Sequence, residues 1–322
     1  MKVLVTGGAG FIGSHYVRSL VGGAYPAFAD ADVTVLDLLT YAGTLTNLPP
    51  AGSRLTFVRG DVRDRRVVAE VMAGVHVVVH FAAESHVDRS IHGAADFVST
   101  NVTGTQVLLQ AALEAGVERF VHVSTDEVYG SIDDGSWPET HQLEPNSPYA
   151  ASKAASDLLA RAYHRTHGLP VSVTRCSNNY GPHQFPEKIV PLFVTNLLDG
   201  RKVPLYGDGS NVRDWLHVDD HCRGIQLVAE KGRDGEIYNI GGGTELTNRE
   251  LTRRLVAAVG ADESMIERVP DRLGHDRRYS VDWSKIATEL GYAPQVPFDQ
   301  GLAGTVAWYA ARRDWWEPLR QR

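Results

Sequence analysis

Two adjacent carboxylates, Asp126 and Glu127, directly follow an apolar run in the stretch RFVHVSTDEVYG (119–130). Two neighbouring acids whose pKa values differ can carry out the two proton transfers of an elimination reaction. One removes a carbon-bound proton as a base, and the other protonates a departing hydroxyl group. The pair could equally cap the end of a strand in solvent, and the two residues alone leave both interpretations open.

A tyrosine and a lysine lie four residues apart in the segment NSPYAASK (146–153). Ser147 suits a helix N-cap and Pro148 the first helical position, so Tyr149 and Lys153 would share one helical face. A nearby ammonium group stabilises a phenolate, so we expect Lys153 to lower the pKa of Tyr149. Tyr149 could then take a proton from a sugar or alcohol hydroxyl. The same spacing also arises by chance in many helices.

A glycine-rich turn supplies a candidate site for an oxidising cofactor. The segment VLVTGGAGFIG places Gly7, Gly10 and Gly13 between an apolar strand and an apolar-periodic helix. Gly7 permits a tight turn, Gly10 lets backbone N–H groups approach a pyrophosphate, and Gly13 lets the helix pack closely on the strand. We therefore predict a dinucleotide site, with a purely structural glycine turn as the alternative.

The acid at the end of the second predicted strand favours NAD over NADP. Asp37 lies 24 residues after Gly13, near the spacing of a carboxylate that binds the adenosine ribose 2′-hydroxyl. An acid in that place would repel a 2′-phosphate. Asp61 and Val62, after the third strand, could line the adenine pocket, although an ordinary loop acid is an open alternative for Asp61.

Short β-branched runs alternate with longer amphipathic segments through the first two-thirds of the chain. This alternation predicts βαβ units and a parallel sheet covered by helices on both faces. The predicted strands are residues 2–6, 33–37, 55–61, 75–83, 119–125 and 171–175. The fold class is therefore α/β, a Rossmann-type doubly wound parallel sheet with a smaller mixed α/β C-terminal substrate lobe.

Beyond residue 176 the alternation of β-branched runs and amphipathic segments becomes irregular. Residues 177–188 and 205–215 are rich in Asn, Pro and Gly and lack the hydrophobic continuity of sheet strands. We predict an NAD-binding domain over residues 1–176 and a mainly substrate-binding lobe over 177–322, with some of its segments returning to the first domain. The lobe would cover the carboxyl edge of the sheet, where open α/β sheets bind ligands.

Composition excludes several other classes. The 322 residues are 43% hydrophobic and 22% charged with a net charge of −7, so no global positive field exists to attract nucleic acid or an anionic membrane. Apolar runs stay well below the ~20 residues that cross a bilayer, and the N-terminal sequence lacks a cleavable signal. Two isolated cysteines suit a reducing compartment, so we expect a cytoplasmic protein.

The glycine turn, the strand ending in Ser124-Thr125 and the YxxxK helix together resemble the extended short-chain dehydrogenase/reductase superfamily, over nearly the whole chain. Within it, the acid motif is similar to that of the dTDP-glucose 4,6-dehydratases. The other segments that carry this similarity are HFAAESHVDRSI (80–91), RCSNNYGP (175–182), PLYGDGSNVRDW (204–215) and RLGHDRRY (272–279).

The resemblance implies a dehydration of dTDP-glucose with NAD as recycled cofactor. Tyr149 would take the C4 hydroxyl proton as hydride passes to NAD, with Thr125 hydrogen-bonded to the same oxygen. Glu127 would then remove the C5 proton, and Asp126 would protonate the leaving C6 hydroxyl. Hydride return to C6 and reprotonation of C5 would give the 4-keto-6-deoxy sugar nucleotide. Lys153 would also hold the nicotinamide ribose.

Further positions carry over from the family's motifs. The additional contacts to NAD would be Phe11, Ile12, Ala82, Ala83, Thr100 and Asn179. The contacts to the sugar, diphosphate and base would be Ser85, Asn178, Glu187, Lys188, Pro204, Tyr206, Arg213, Asn248, Arg272, His275 and Tyr279. Arginine suits a diphosphate because its planar donors pair two oxygens at once.

Three alternatives stay open. A nucleotide-sugar 4-epimerase would share Tyr149, Lys153 and NAD but has no use for Asp126 and Glu127. A dehydratase could act on another nucleotide sugar, although GDP-mannose relatives differ at the position of Asp126. A non-catalytic NAD-binding regulator should have lost these catalytic groups, all of which are present.

Two other features are assigned structural roles. His217 and His221 flank two acids at a metal-ligand spacing, but we expect this segment to open a helix and predict no metal site. Residues 100–116 and 148–168 are alanine-rich and largely apolar, and such helices in the family commonly form a four-helix homodimer interface. Tryptophans 308, 315 and 316 are interpreted as packing residues.

Overall fold

The central sheet is parallel and has seven strands. The computed structural model describes residues 1–50 and 52–321. Within them the strands are β1 (Lys2–Thr6), β2 (Asp32–Asp37), β3 (Leu55–Arg59), β4 (Val77–His80), β5 (Arg119–Thr125), β6 (Val171–Cys176), β7 (Asn178–Tyr180), β8 (Val203–Tyr206), β9 (Val212–His217), β10 (Ile237–Ile240), β11 (Glu245–Thr247) and β12 (Ile266–Val269). The order in the central sheet is β3-β2-β1-β4-β5-β6-β10.

Helices connect the strands of this sheet and build most of the lobe. In the same residues they are α1 (Phe11–Val21), α2 (Arg65–Met72), α3 (Val87–His92), α4 (Ala94–Phe97), α5 (Thr105–Ala115), α6 (Pro148–His167), α7 (Ile189–Leu198), α8 (Val218–Lys231), α9 (Asn248–Val259), α10 (Ser284–Leu290), α11 (Phe298–Ala311) and α12 (Arg313–Trp316). A π-helical turn, Val98–Gly104, joins α4 to α5.

Both faces of the central sheet are covered, as the sequence predicts. One hydrophobic core lies between the sheet and helices α1, α8 and α10. The other lies between the sheet and helices α2, α5 and α6. Because β4 is buried at all four positions, its run of valines has no polar alternation. The prediction of a doubly wound α/β fold is confirmed.

The strand order reverses at β1, which pairs with β2 on one side and β4 on the other. A crevice forms at such a switch point, outside the carboxyl ends of the strands. The glycine turn follows β1 and the acid pair follows β5, so both open at this same edge of the sheet. Residues 237–240 supply β10, the edge strand beside β6, from the second half of the chain.

The lobe contains strands that the sequence reading did not identify. Strands β7, β9 and β11 form a three-stranded sheet, and β8 pairs with β12. The expectation that residues 177–188 and 205–215 lack strands is therefore wrong for β7 and for most of β9. The reason is visible at Asp214, whose buried carboxylate accepts hydrogen bonds from Ser177 Oγ at 2.6 Å and from the Gly242 N–H at 2.9 Å. A strand whose buried polar side chains have hydrogen-bond partners need not show alternating apolar residues.

Two segments with assigned structural roles behave as expected. The His217 side chain caps α8 by accepting the Asp219 N–H, and Asp219 and Asp220 lie in the first turn of that helix. The indole rings of Trp315 and Trp316 are buried in the lobe core. Among the described residues, no helix combines the length and apolar character that a membrane span requires.

Candidate active site

The glycine turn forms one wall of a cavity of about 380 Å³ at the switch point. Gly7 has a φ of +69°, and a Cβ there would lie 2.5 Å from the Ala82 nitrogen. A Cβ on Gly13 would lie 2.3 Å from the Gly7 carbonyl oxygen, so α1 packs directly on the turn. Gly10 is the N-cap residue of α1, and it leaves the helix N-terminus open for an anion.

Asp37 stands at the wall of the same cavity with its carboxylate fixed in place. One carboxylate oxygen accepts the Leu39 N–H at 2.8 Å and the other accepts the Ala9 N–H at 2.9 Å. Burial raises the pKa of Asp37, and these two bonds act in the opposite direction. Each oxygen keeps a free lone pair, so the group can still accept a ribose hydroxyl.

All the residues predicted to contact the cofactor line this cavity. They are Gly7, Gly10, Phe11, Ile12, Gly13, Asp37, Asp61, Val62, Ala82, Ala83, Thr100, Tyr149, Lys153 and Asn179. The sequence reading missed Arg63, which also lines the cavity and pairs with Asp61 through its Nε at 2.9 Å. This pairing lowers the pKa of Asp61. The only signal for Arg63 is its place two residues after Asp61.

Thr100 reaches the cavity from the π-helical turn. Such turns are rare and occur frequently at functional sites. The next residue, Asn101, donates from Nδ2 to Ser152 Oγ at 2.8 Å and accepts the Glu84 N–H at 2.8 Å. Asn101 thus ties the turn to α6 and to the cavity wall. The sequence predicts helix here but carries no signal for the wider turn.

Tyr149 and Lys153 lie on the buried face of α6 and both line the cavity. Burial lowers the pKa of Lys153 to about 8, and its Nζ donates to the Val123 carbonyl oxygen at 2.9 Å. Burial, followed by the negative charge of Glu127, raises the pKa of Tyr149 well above its ordinary value. Lys153 is not among the main influences on that pKa, and the expectation that Lys153 lowers the pKa of Tyr149 stays a prediction.

Asp126 is buried and Glu127 is half-buried, so the alternative of an acid pair that caps the strand in solvent is wrong. Thr125 caps the 3₁₀ turn Asp126–Tyr129 by accepting the Glu127 N–H at 3.3 Å. Asp126 is 2% exposed. Burial raises the pKa of Asp126 well above its ordinary value, and Glu127 adds to that effect. Burial therefore favours the neutral form of Asp126.

Glu127 has a different electrostatic environment. Burial also raises its pKa, but the cations of Lys188, Arg272 and Arg213 oppose the shift. Glu127 is therefore easier to ionise than Asp126, which suits it to act as a base. The two neighbouring carboxyl groups have pKa values separated by their surroundings, as an acid and base pair requires.

A second cavity of about 170 Å³ lies on the lobe side of the acid pair. The predicted substrate residues that line it are Asn178, Glu187, Lys188, Pro204, Tyr206, Arg213, Asn248, Arg272, His275 and Tyr279. Ser85 lines only the first cavity, together with Thr125 and Asp126. Glu127, Asn178, Glu187 and Lys188 line both, so the cavities adjoin at the acid pair.

The cationic side chains of the second cavity are fixed by their own partners. Arg213 donates to the Asp276 carbonyl oxygen at 2.9 Å, and its guanidinium carbon lies 4.0 Å from the centre of the Tyr279 ring. Arg272 Nη1 lies 3.5 Å from Asp88 Oδ1. Trp215, which the sequence reading did not select, also lines this cavity. The arrangement gathers positive charge where an anionic ligand would bind.

The Rossmann sheet, the glycine turn and the Tyr–Lys helix define an NAD-binding protein of the extended short-chain dehydrogenase/reductase class. A family model described as GDP-mannose 4,6 dehydratase matches residues 4–305. A dTDP-glucose 4,6-dehydratase of Streptomyces antibioticus is 64% identical, with 100% of this chain and 96% of the relative covered. The chain belongs to this 4,6-dehydratase family, among relatives named dTDP-glucose 4,6-dehydratase.

Two solved structures are similar to this chain over nearly its whole length. The dTDP-glucose 4,6-dehydratase DesIV of Streptomyces venezuelae, solved with NAD and TYD bound, has a TM-score of 0.98 at 66% identity, covering 99% of this chain and 100% of its own. A UDP-glucose 4-epimerase of Thermotoga maritima has a TM-score of 0.89 at 34% identity, covering 97% of this chain and 99% of its own. The fold is thus shared by dehydratases and epimerases.

Substitution of Gly13 tests the glycine turn. We expect Gly13→Ala to lower the free energy of unfolding by about 1–3 kcal/mol, because its Cβ meets fixed backbone. The displaced helix should also release bound NAD, measured as nucleotide freed from a known amount of purified protein. Gly304→Ala is the control, since a Cβ there meets no described atom within 4 Å. Full NAD retention in Gly13→Ala would contradict the assignment.

Proposed function

We propose that this protein is a dTDP-glucose 4,6-dehydratase, which converts dTDP-glucose to dTDP-4-keto-6-deoxy-glucose in deoxysugar biosynthesis. The observation that carries the proposal is the acid pair of buried Asp126 and half-buried Glu127, which lines the first cavity together with Tyr149. Glu127 also lines the second cavity. The identity of 64% to a relative of that name supports it. The product then serves enzymes that modify a 4-keto sugar nucleotide.

The residues of the first cavity fit NAD. The open helix N-terminus at Gly10 suits a pyrophosphate, and the fixed carboxylate of Asp37 suits a ribose hydroxyl. Bound NAD would accept hydride from the sugar and return it, and its cationic ring would favour the phenolate of Tyr149. Lys153, at the wall of the same cavity, would bind the nicotinamide ribose.

Each step of the reaction has a group suited to it. Tyr149 removes the C4 hydroxyl proton, while Thr125 donates a hydrogen bond to the same oxygen. Glu127, whose ionisation the neighbouring cations favour, removes the C5 proton, which a C4 ketone has made acidic. Asp126, kept neutral by burial, gives its proton to the departing C6 hydroxyl, so that water leaves.

The second cavity would hold the nucleotide. Arg213 and Arg272 would bind the diphosphate, and Lys188, which donates to the Ser85 carbonyl oxygen at 2.7 Å, stands between the two cavities. Pro204, Tyr206, Asn248, His275 and Tyr279 would surround the base. In this structure Glu187 pairs with Arg89 at 3.2 Å, so that contact must change for Glu187 to bind the sugar.

The competing function is a nucleotide-sugar 4-epimerase, because one such enzyme has the same fold. Tyr149 and Lys153 would serve that reaction equally well. The buried and differently tuned carboxyl groups favour dehydration, since epimerisation breaks no C–O bond. Removing two adjacent acids from water costs free energy. A role in elimination accounts for that cost.

The test is a dehydration assay without added cofactor. We expect the wild type to convert dTDP-glucose to a product lighter by one water, seen by mass spectrometry. Glu127→Gln should lower the rate about 10²–10⁴-fold, because it removes the base for C5. Asp126→Asn should give a comparable loss in elimination and leave oxidation at C4 measurable by transient absorbance of the reduced cofactor.

Controls separate this proposal from its competitors. Glu139→Gln changes a half-buried carboxyl group outside both cavities and should leave turnover unchanged. An unchanged mass with conversion to the galacto isomer would establish an epimerase and overturn the proposal. Faster dehydration of GDP-mannose than of dTDP-glucose would assign another nucleotide.

We further propose a cytoplasmic homodimer joined by α5 and α6 of each copy. The support is an apolar outer surface beside these helices, where Leu158 is 55% exposed and Val98, in the adjoining π-helical turn, is 52% exposed. An exposed leucine in mid-helix gains by burial against a second copy. The two cysteines, both free thiols, suit a reducing compartment.

The charge variant Leu158→Asp tests this interface. We expect sedimentation to give a dimer for the wild type and a monomer for the variant, because a carboxylate would be buried without a partner. Lys231→Glu, at the exposed end of α8 on the other face of the sheet, is the control and should remain dimeric. A monomeric wild type would overturn the proposed assembly.

A further inference from the structure

A buried cluster of charged and polar groups lies one helical turn beyond Lys153. Asp157, on the same helix, has no exposed surface. Its Oδ2 accepts from Arg175 Nε at 2.8 Å, and His122 Nε2 lies 3.3 Å from its Oδ1. The reaction described above gives these three groups no role, although they lie directly behind the catalytic helix and strand.

This cluster is poorly explained as a stabilising ion pair. Desolvation of a buried pair commonly cancels its Coulomb attraction, and apolar replacements of similar volume are often neutral or stabilising. Among the described residues, both Nη atoms of Arg175 and Nδ1 of His122 are buried without a hydrogen-bond partner. Each of these unpaired polar atoms carries a desolvation cost, which a functional role for the buried anion would explain.

We propose that Asp157 is a positioning residue whose negative charge keeps the Lys153 side chain as an ammonium ion. The two residues lie four apart on one buried face of α6. The Lys153 ammonium donates to a neutral partner, the Val123 carbonyl oxygen, which cannot supply a counter-charge. The hydrogen bond from Arg175 holds the Asp157 carboxylate in place. This inference rests on the proposed function only where it needs Lys153 as a cation.

The electrostatics agree with this geometry. Burial lowers the pKa of Lys153 to about 8, and Asp157 is the strongest influence that opposes the shift. The other titratable groups packed around this part of α6 are His80 from β4, His122 from β5, and Arg175 and Cys176 from β6. Burial favours the neutral forms of His80, His122 and Cys176.

Arg175 is the remaining charge in this group. It stays cationic beside Asp157, which raises its pKa, and its guanidinium carbon lies 4.7 Å from the centre of the Tyr129 ring. Burial favours the neutral form of Asp126, the residue that follows β5. Of the groups that surround Lys153 here, Asp157 is thus the one that carries negative charge.

The first experiment is the pH dependence of dehydration by the holoenzyme. The wild type should lose activity above pH 8 as Lys153 loses its proton. In Asp157→Asn the alkaline limb should move down by about one pH unit or more, because a nearby opposite charge shifts a pKa by about 1–3 units. Activity of the variant should recover toward the wild-type value at low pH. Asp157→Glu, which keeps the charge, should restore the limb.

A matched control removes a buried carboxylate elsewhere. Asp220 is 1% exposed and accepts the backbone N–H groups of Gln295 and Val296. Asp220→Asn should lower the melting temperature without moving the alkaline limb. An equal loss of activity at every pH in Asp157→Asn would mean that Asp157 acts only in folding, and this would overturn the proposal.

The second experiment measures Lys153 directly and needs no substrate. The chain has six lysines, so ¹³Cε-labelled lysine gives a simple NMR spectrum in which Lys153→Arg identifies one signal. The pKa of Lys153 in the holoenzyme should fall by about one unit in Asp157→Asn. This result stands even if dTDP-glucose is not the substrate. An unchanged titration would overturn the proposal.

A double variant covers the case in which Asp157→Asn does not fold. Asp157→Asn/Arg175→Met removes both charges of the buried pair, and such replacements are commonly tolerated. It should lower the pKa of Lys153 in the same direction. A pKa equal to that of the wild type in a folded double variant would contradict the role of Asp157.

Discussion

Desolvation of ionisable groups at the carboxyl end of β5 is the constraint on which the site depends. Tyr149, Lys153, Asp126 and Glu127 are brought together out of water, and burial is the largest influence on the pKa of each. In water these groups would have ordinary pKa values and the two acids would be equivalent. Burial favours the neutral form of each, and nearby charges then decide which group ionises most easily.

The fold supplies this environment because parallel strands end at one edge. Helices cover both faces of the sheet, so the carboxyl ends of β1, β4, β5 and β6 form the floor of a crevice that the lobe covers. The close contact of Gly13 with Gly7 keeps the start of α1 at this edge. The same crevice therefore holds a helix N-terminus for an anion and a desolvated acid pair, at positions set by the backbone.

The sequence predicts those parts of the structure whose signal is local. Six of the seven strands of the central sheet are visible as β-branched runs because both faces are covered, whereas β10 is not among the predicted strands. Ser147-Pro148 marks the start of α6 correctly. Strand β9 is missed because Arg213 and Asp214 are satisfied by partners distant in sequence, such as the Thr244 N–H at 2.8 Å from Asp214. Periodicity cannot report a polar residue that is buried by long-range hydrogen bonds.

The candidate site, too, is predictable from the sequence only in part. Motifs place the chosen side chains at the two cavities, but they do not give the ionisation of those side chains. Spacing alone suggests that Lys153 lowers the pKa of Tyr149, whereas burial depth, which spacing does not contain, raises it. Likewise, the sequence motif does not show which of Asp126 and Glu127 ionises more easily. Only the positions of distant residues such as Lys188 and Arg272, which lower the pKa of Glu127, distinguish them.

The meeting of the two cavities at Glu127 links binding to chemistry. In this structure Lys188, Arg272 and Arg213 lower the pKa of Glu127 against the effect of burial. A diphosphate bound by the two arginines would offset part of their charge, so the pKa of Glu127 would rise when the substrate binds. A base with a higher pKa removes a carbon-bound proton more readily, provided that it stays ionised at the working pH. The nucleotide would thereby strengthen the base that acts on its own sugar, which explains why cations of the lobe lie beside an acid of the central domain.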